Sequence, residues 1–194
     1  MQQLIVAISG SPSTTSRTAL LAEHVLALST DERPGRHYRV SAIPPAALLN
    51  ADMGDERLAE MVEAVTRAHG LIIATPIYKA AYSGLLKAFL DVLPQFALAG
   101  TAVLPVATGG SLAHVLALDY ALRPVLQSMG ARHIVQAHFV PEAGMAVENG
   151  LLHLSGDTTG SLHEAVRHFR YAVTSSPEAR HLGHPHPPHP ALPD

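Results

Sequence analysis

The sequence predicts an α/β three-layer sandwich built on a five-stranded parallel sheet, and two observations carry that reading. Short apolar runs bounded by Gly, Pro or Ser alternate along the chain with longer segments of helical period, which is the pattern of consecutive βαβ units. The first run also opens onto a hydroxyl-dense loop that leads straight into a helix, as the first strand-to-helix turn of a doubly wound sheet does. Right-handed crossovers return the chain to the sheet in one direction, so the sheet is parallel and covered on both faces.

The strands are read at residues 4–8, 38–43, 71–74, 102–107 and 133–140. Between them, residues 18–28, 55–68, 83–93 and 114–129 repeat apolar side chains every three or four positions and read as helices. The third helix shows this best: Leu85, Leu86, Phe89, Leu90 and Leu93 form one stripe, and Ser83 is placed to cap its start. The fourth contains Pro124, which has no N–H to give the carbonyl of residue 120, so a kink or a π-type bulge is expected around residues 117–120. Its apolar face, with Val115, Leu116, Leu118, Leu122, Val125, Leu126 and Met129, is too wide for one side of a sheet and suggests packing between subunits. A last helix is read at residues 161–172. One domain of residues 1–174 follows, with a Pro- and His-rich tail at 175–194 that has no apolar period and is expected to be extended or disordered.

Composition narrows the function. With 47% hydrophobic and 15% charged residues, the 194-residue chain belongs to the globular class. Thirteen Lys and Arg against 16 Asp and Glu leave a net charge of −3, so there is no basic field for nucleic acid or an anionic membrane. The absence of cysteine excludes disulfides, thiolate metal sites, iron–sulfur clusters and cysteine nucleophiles, so any redox chemistry belongs to a cofactor. No basic, long apolar leader and no membrane-spanning run is read, so a cytoplasmic protein is expected. His181, His184, His186 and His189 crowd the tail, but a Pro-rich segment offers no fixed ligand shell and no metal is expected there.

The loop Ser9-Gly10-Ser11-Pro12-Ser13-Thr14-Thr15-Ser16-Arg17-Thr18 reads as a phosphate cradle. A helix N-terminus supplies unpaired N–H groups, and the hydroxyls of Ser9, Ser11 and Ser16 with the Arg17 guanidinium complete a set of donors. It has neither G-x-G-x-x-G nor the lysine of a P-loop, so the terminal phosphate of a mononucleotide fits better than a dinucleotide or triphosphate. Read alone, an ordinary capped turn has the same composition.

Three segments together resemble the NAD(P)H-dependent FMN reductase family of flavodoxin-like proteins, most closely the branch that supplies reduced FMN to alkanesulfonate monooxygenases. They are Ser9-Gly10-Ser11-Pro12 with Ser16-Arg17-Thr18, then residues 74–84 (ATPIYKAAYSG), then residues 104–110 (LPVATGG). The resemblance runs over residues 1–140, and the long middle segment is its specific part. It implies a flavodoxin-like fold in which the first loop holds the FMN phosphate. The segment with Pro76, Ile77, Tyr78, Lys79 and Ser83 lines the flavin ring, and Thr108, Gly109 and Gly110 flank its other side.

Thr75-Pro76 directs the chain as it leaves the third strand, so that N–H groups near Tyr78 and Lys79 reach the polar edge of the ring. Gly84 permits close approach there, and a side chain on Gly109 or Gly110 would crowd the pyrimidine edge. Lys79 would favour the anionic reduced flavin or meet a nicotinamide phosphate, and His114 would touch bound nucleotide. No acid or base is assigned, because hydride transfer between nicotinamide and flavin needs none.

The resemblance further implies NADPH or NADH as reductant, a homodimer or homotetramer, and an FMNH2-dependent monooxygenase as flavin acceptor. In that branch Tyr120 falls where an inserted tyrosine meets a subunit interface near the flavin, so it is expected to limit how firmly FMN is retained. Two other readings remain open: an FMN-retaining quinone or azo reductase, and a flavodoxin-type electron carrier, which is usually far more acidic than this chain.

Overall fold

Val6, Ala7 and Ile8 are completely shut off from solvent, as a strand covered on both faces requires. The computed structural model describes residues 3–30, 35–131 and 133–175. Their elements run β1 (Ile5–Ser9), α1 (Arg17–Ser29), β2 (Arg36–Arg39), α2 (Pro45–Leu49), α3 (Glu56–Arg67), β3 (Gly70–Tyr78), β4 (Ala81–Tyr82) and α4 (Gly84–Val92). Then follow β5 (Ala102–Gly109), α5 (Arg123–Ser128), β6 (His133–Ile134), β7 (His138–Pro141), β8 (Met145–Glu148), β9 (Leu151–Leu154) and α6 (Gly156–Ser175). The tail at residues 176–194, with its four histidines, lies outside the described residues.

The central sheet has the order β2-β1-β3-β5-β6, all parallel, with β7 also parallel to β5 and β4 antiparallel to β3. Alternate residues of β1 feed two cores. Ile5 and Ala7 pack with Leu21, Val25, Leu162 and Phe169 of α1 and α6, and Val6 and Ile8 pack with Leu58, Met61, Phe89 and Leu126 of α3, α4 and α5. The five parallel positions and two helical layers are the flavodoxin-like sandwich expected from the sequence.

Helix starts follow capping chemistry. Ser16, Asp55 and Ser83 accept from the first-turn N–H groups of α1, α3 and α4. Several boundaries differ from the sequence reading. β2 is the polar stretch Arg36–Arg39, and the apolar residues after it form a 3₁₀ turn at Val40–Ala42 that sends Val40 and Ile43 into the core. At a sheet edge the backbone pairs on one side only, so the strand needs no apolar run. The fifth strand is split into β6 and β7, and α6 starts five residues earlier than the reading, at Gly156. β4, α2 and the β8–β9 hairpin were not read from the sequence.

The segment read as one helix over 114–129 is three pieces: a 3₁₀ turn at Leu112–His114, a π turn at Leu118–Leu122, and α5. The π turn overlaps the stretch that the Pro124 argument indicates. The Arg123 N–H reaches back five residues to the Leu118 carbonyl, and Pro124 then sits in the first turn of α5, where a missing N–H costs least. Arg123 ties this segment to the split strand, donating to Asp119 Oδ1 at 3.1 Å and to the carbonyls of Ile134 and Val135 at 3.2 and 3.3 Å.

Candidate functional site

Strand order reverses between β1 and β3, and the crevice beyond the carboxyl ends at such a point is where a doubly wound sheet takes its ligand. Three loops leave there, after β1, β3 and β5, and hydrogen bonds join them. Ser83, the cap of α4, donates from its hydroxyl to the Gly10 carbonyl, accepts from the Leu86 N–H at 3.1 Å, and gives its own N–H to Thr75 Oγ1 at 3.0 Å. Gly10 in turn donates to the Ala74 carbonyl at 2.9 Å. A Cβ on Gly10 would stand 2.5 Å from Leu86 Cβ, so only glycine lets α4 approach the loop. On the other side the Thr18 and Thr108 hydroxyls are 2.7 Å apart and buried.

The first loop presents donors. Ser16 Oγ accepts from Ala19 N–H at 3.0 Å and Ser11 Oγ from Ser13 N–H at 3.3 Å, so each hydroxyl keeps its own hydrogen for another acceptor. Arg17 stands exposed at the first position of α1, with Nη1 3.5 Å from Glu142 Oε2 in the turn after β7.

Ser9 is the exception in this set. Its side chain is buried, and its hydroxyl lies 2.9 Å from His37 Nε2, whose Nδ1 lies 3.0 Å from Glu23 Oε1. A carboxylate only accepts, so Nδ1 carries the hydrogen and a neutral His37 takes the Ser9 O–H at Nε2. Burial holds the His37 pKa below its ordinary value, with Glu23 opposing and Arg39 adding. Ser9 therefore braces the loop from beneath. His37 and Glu23 were not read as part of this region; their own neighbourhoods carry no motif.

After β3 the chain turns back at once. Ile77 and Tyr78 pair with Tyr82 and Ala81, and Lys79 and Ala80 form the turn with φ of +51° and +61°. Two left-handed residues make the primed turn that suits a twisted hairpin, but neither is Gly or Asn, so the turn stores about 1–3 kcal/mol of strain per residue. Pro76 and Ile77 are buried within β3, and Tyr78 and Lys79 are exposed at its tip. β4 packs against the π turn, which brings this hairpin beside Tyr120, 78% exposed.

The two glycines after β5 differ. A Cβ on Gly109 would meet Phe139 Cζ at 3.0 Å, so its smallness serves packing against β7, whereas Gly110 and Gly84 face open space. Of the two glycines expected to stay bare for a ligand, Gly110 has open space where a Cβ would stand and Gly109 has the Phe139 ring there. His114 is half-buried in the following 3₁₀ turn, which Ser111 caps. Among the described residues no group of three or more His, Asp or Glu is placed to hold a metal ion, and no helix is long and apolar enough to cross a membrane.

Comparison with known proteins gives a consistent picture. A family model described as NADPH-dependent FMN reductase matches residues 4–146. "FMN reductase (NADPH)" of Pseudomonas putida is 38% identical over 177 residues, which is 90% of each chain. The protein of the same name from Escherichia coli is 42% identical over 140 residues, covering 72% of this chain and 73% of that one. The crystal structure of the apo form of "NADH:FMN oxidoreductase (EMOB)" superposes with a TM-score of 0.86 at 55% identity, covering 95% of this chain and 97% of that chain.

Proposed function

Since the chain belongs to the NADPH-dependent FMN reductase family, we propose that the three joined loops hold FMN, which is reduced at the expense of NADPH or NADH and released to a separate monooxygenase. It is an oxidoreductase of FMN and a nicotinamide cofactor. The observation that carries the site reading is the joining itself: Ser83 to Gly10 and Thr18 to Thr108 gather the loops after β1, β3 and β5 at the switch point.

The residues suit a flavin mononucleotide. Ser11 and Ser16 have hydrogens to donate, Arg17 adds a cation, and a phosphate is a pure acceptor of high charge. Tyr78 offers a flat exposed surface, and the open space at Gly84 and Gly110 leaves room for a ring. Thr18 and Thr108 keep the phosphate loop and the β5 loop at a fixed separation. The hairpin tip at Lys79 and His114 are proposed to line the ring and the incoming nicotinamide. Bound FMN supplies the hydride acceptor, so the chain's own work is to orient two ligands and no side chain has to move a proton.

We further propose a homodimer or homotetramer. Leu112, Val115, Leu116 and Tyr120 are all exposed at spacings of three, one and four residues, a single apolar stripe around the π turn. A second copy on that stripe puts Tyr120 across the interface and near the flavin, limiting its retention. The proposed setting is the cytoplasm, with the released FMNH2 serving a monooxygenase of sulfonate sulfur acquisition.

Steady-state oxidation of NADPH and NADH, with and without added FMN and with a quinone, tests the reading. Turnover should depend on added FMN and saturate with it. Full turnover with quinone at substoichiometric FMN would instead identify a flavin-retaining quinone reductase.

A further inference from the structure

Arg17 already has an anion beside it. Its guanidinium Nη1 lies 3.5 Å from Glu142 Oε2, with both side chains about half exposed. The two residues come from opposite parts of the site. Arg17 opens α1 directly after the β1 loop, and Glu142 opens the turn after β7, a strand on the far side of β5. The first turn of α1 contains no acidic residue of its own, so the carboxylate at this helix start is supplied from a distance of more than a hundred residues in sequence.

A phosphate monoester bound by the β1 loop would seek the same guanidinium, carrying between one and two negative charges near neutral pH. Arg17 cannot serve both anions in full, and the displaced carboxylate stays close as a like charge. We propose that Glu142 is an affinity-limiting residue whose carboxylate competes with the FMN phosphate for Arg17, so that flavin is held weakly enough to leave. This rests on the reading that the β1 loop holds the phosphate. An exposed pair of this kind contributes little to folding, so Glu142 can be neutralised without loss of the fold. At the separations of such a site, removing one like charge should change the FMN dissociation constant by about three- to tenfold.

The test titrates FMN and riboflavin into the full chain and follows quenching of flavin fluorescence, with stopped-flow release in parallel. Glu142→Gln should bind FMN about three- to tenfold more tightly through slower release, leave riboflavin unchanged, and lose the gain at high salt. Arg17→Ala should weaken FMN and spare riboflavin, and in that background the Glu142→Gln gain should shrink. If Arg17→Ala weakens FMN selectively but Glu142→Gln leaves FMN affinity unchanged or lowers it, the competition is overturned while the phosphate loop stands. A full gain in the Arg17→Ala background overturns it as well. If Arg17→Ala weakens FMN and riboflavin equally, the phosphate-loop reading itself fails.

Discussion

The hydroxyls of Thr18 and Thr108 lie 2.7 Å apart in a buried contact between the first turn of α1 and the end of β5. One hydrogen is shared between the two oxygens, so either partner left alone becomes a buried polar group without its mate. Thr18→Val and Thr108→Val should each lower stability by about 1–3 kcal/mol, while the double variant should lose clearly less than the sum. Urea denaturation of the four proteins measures the coupling, and strict additivity would show that the two loops are not joined here.

Gly10 and Gly110 give a contrast within one site. Gly10→Ala drives a Cβ to 2.5 Å from Leu86 Cβ, whereas Gly110→Ala adds one in open space. The first should cost about 1–3 kcal/mol through forced displacement of α4. The second should leave stability within about 0.5 kcal/mol yet weaken FMN binding. Thermal melts paired with flavin titration separate the two effects; a Gly110→Ala protein that binds FMN normally would remove Gly110 from the site.

His24, His37 and His138 are each held below the ordinary imidazole pKa, with burial the first cause in every case. His163 adds to the effect at His24, and His138 Nε2 is buried with no partner among the described residues. The unfolded chain therefore takes up protons at about pH 6.5, before the folded one does. Stability should be full above that value and fall as pH drops below it, until the folded-state histidines also protonate. His138→Leu should flatten part of this acid loss in melts from pH 8 to pH 5. An unchanged slope would mean that His138 is not one of the responsible groups.

The stripe of Leu112, Val115, Leu116 and Tyr120 is the proposed contact between copies. Leu116→Glu puts a charge in its centre and should shift sedimentation toward the monomer, and Tyr120→Ala should lengthen flavin retention or loosen the assembly. A wild-type protein that sediments as a monomer at every concentration would discard this face as an interface.

The fold was legible where burial demands a pattern. The runs around Ile5–Ser9, Gly70–Tyr78 and Ala102–Gly109 are central strands, apolar except toward their carboxyl ends, where Ser9, Thr75 and Thr108 are buried, because both faces are covered. β2 was displaced by a few residues because an edge strand of Arg36, His37, Tyr38 and Arg39 carries no such demand. The π turn was legible because Pro124 removes one specific hydrogen bond. The hairpin at Lys79 and Ala80 was not, since neither residue favours the left-handed region it occupies. The segments proposed to form the site stood out in the sequence by their hydroxyls and glycines, whereas the contact of Ser9 with His37 carried no signal there. Glu142 carried no local signal. Only the topology, which sets the end of β7 beside the start of α1, shows that it meets Arg17.

The central claim is that the loops after β1, β3 and β5 close around one FMN. Hydrogen exchange of backbone amides, measured with and without saturating FMN, tests it most directly. Protection should rise in three separate stretches, residues 10–18, 77–84 and 108–114, and riboflavin should reproduce the last two but not the first. Protection confined to other segments, or an FMN pattern indistinguishable from that of riboflavin over residues 10–18, would contradict the account.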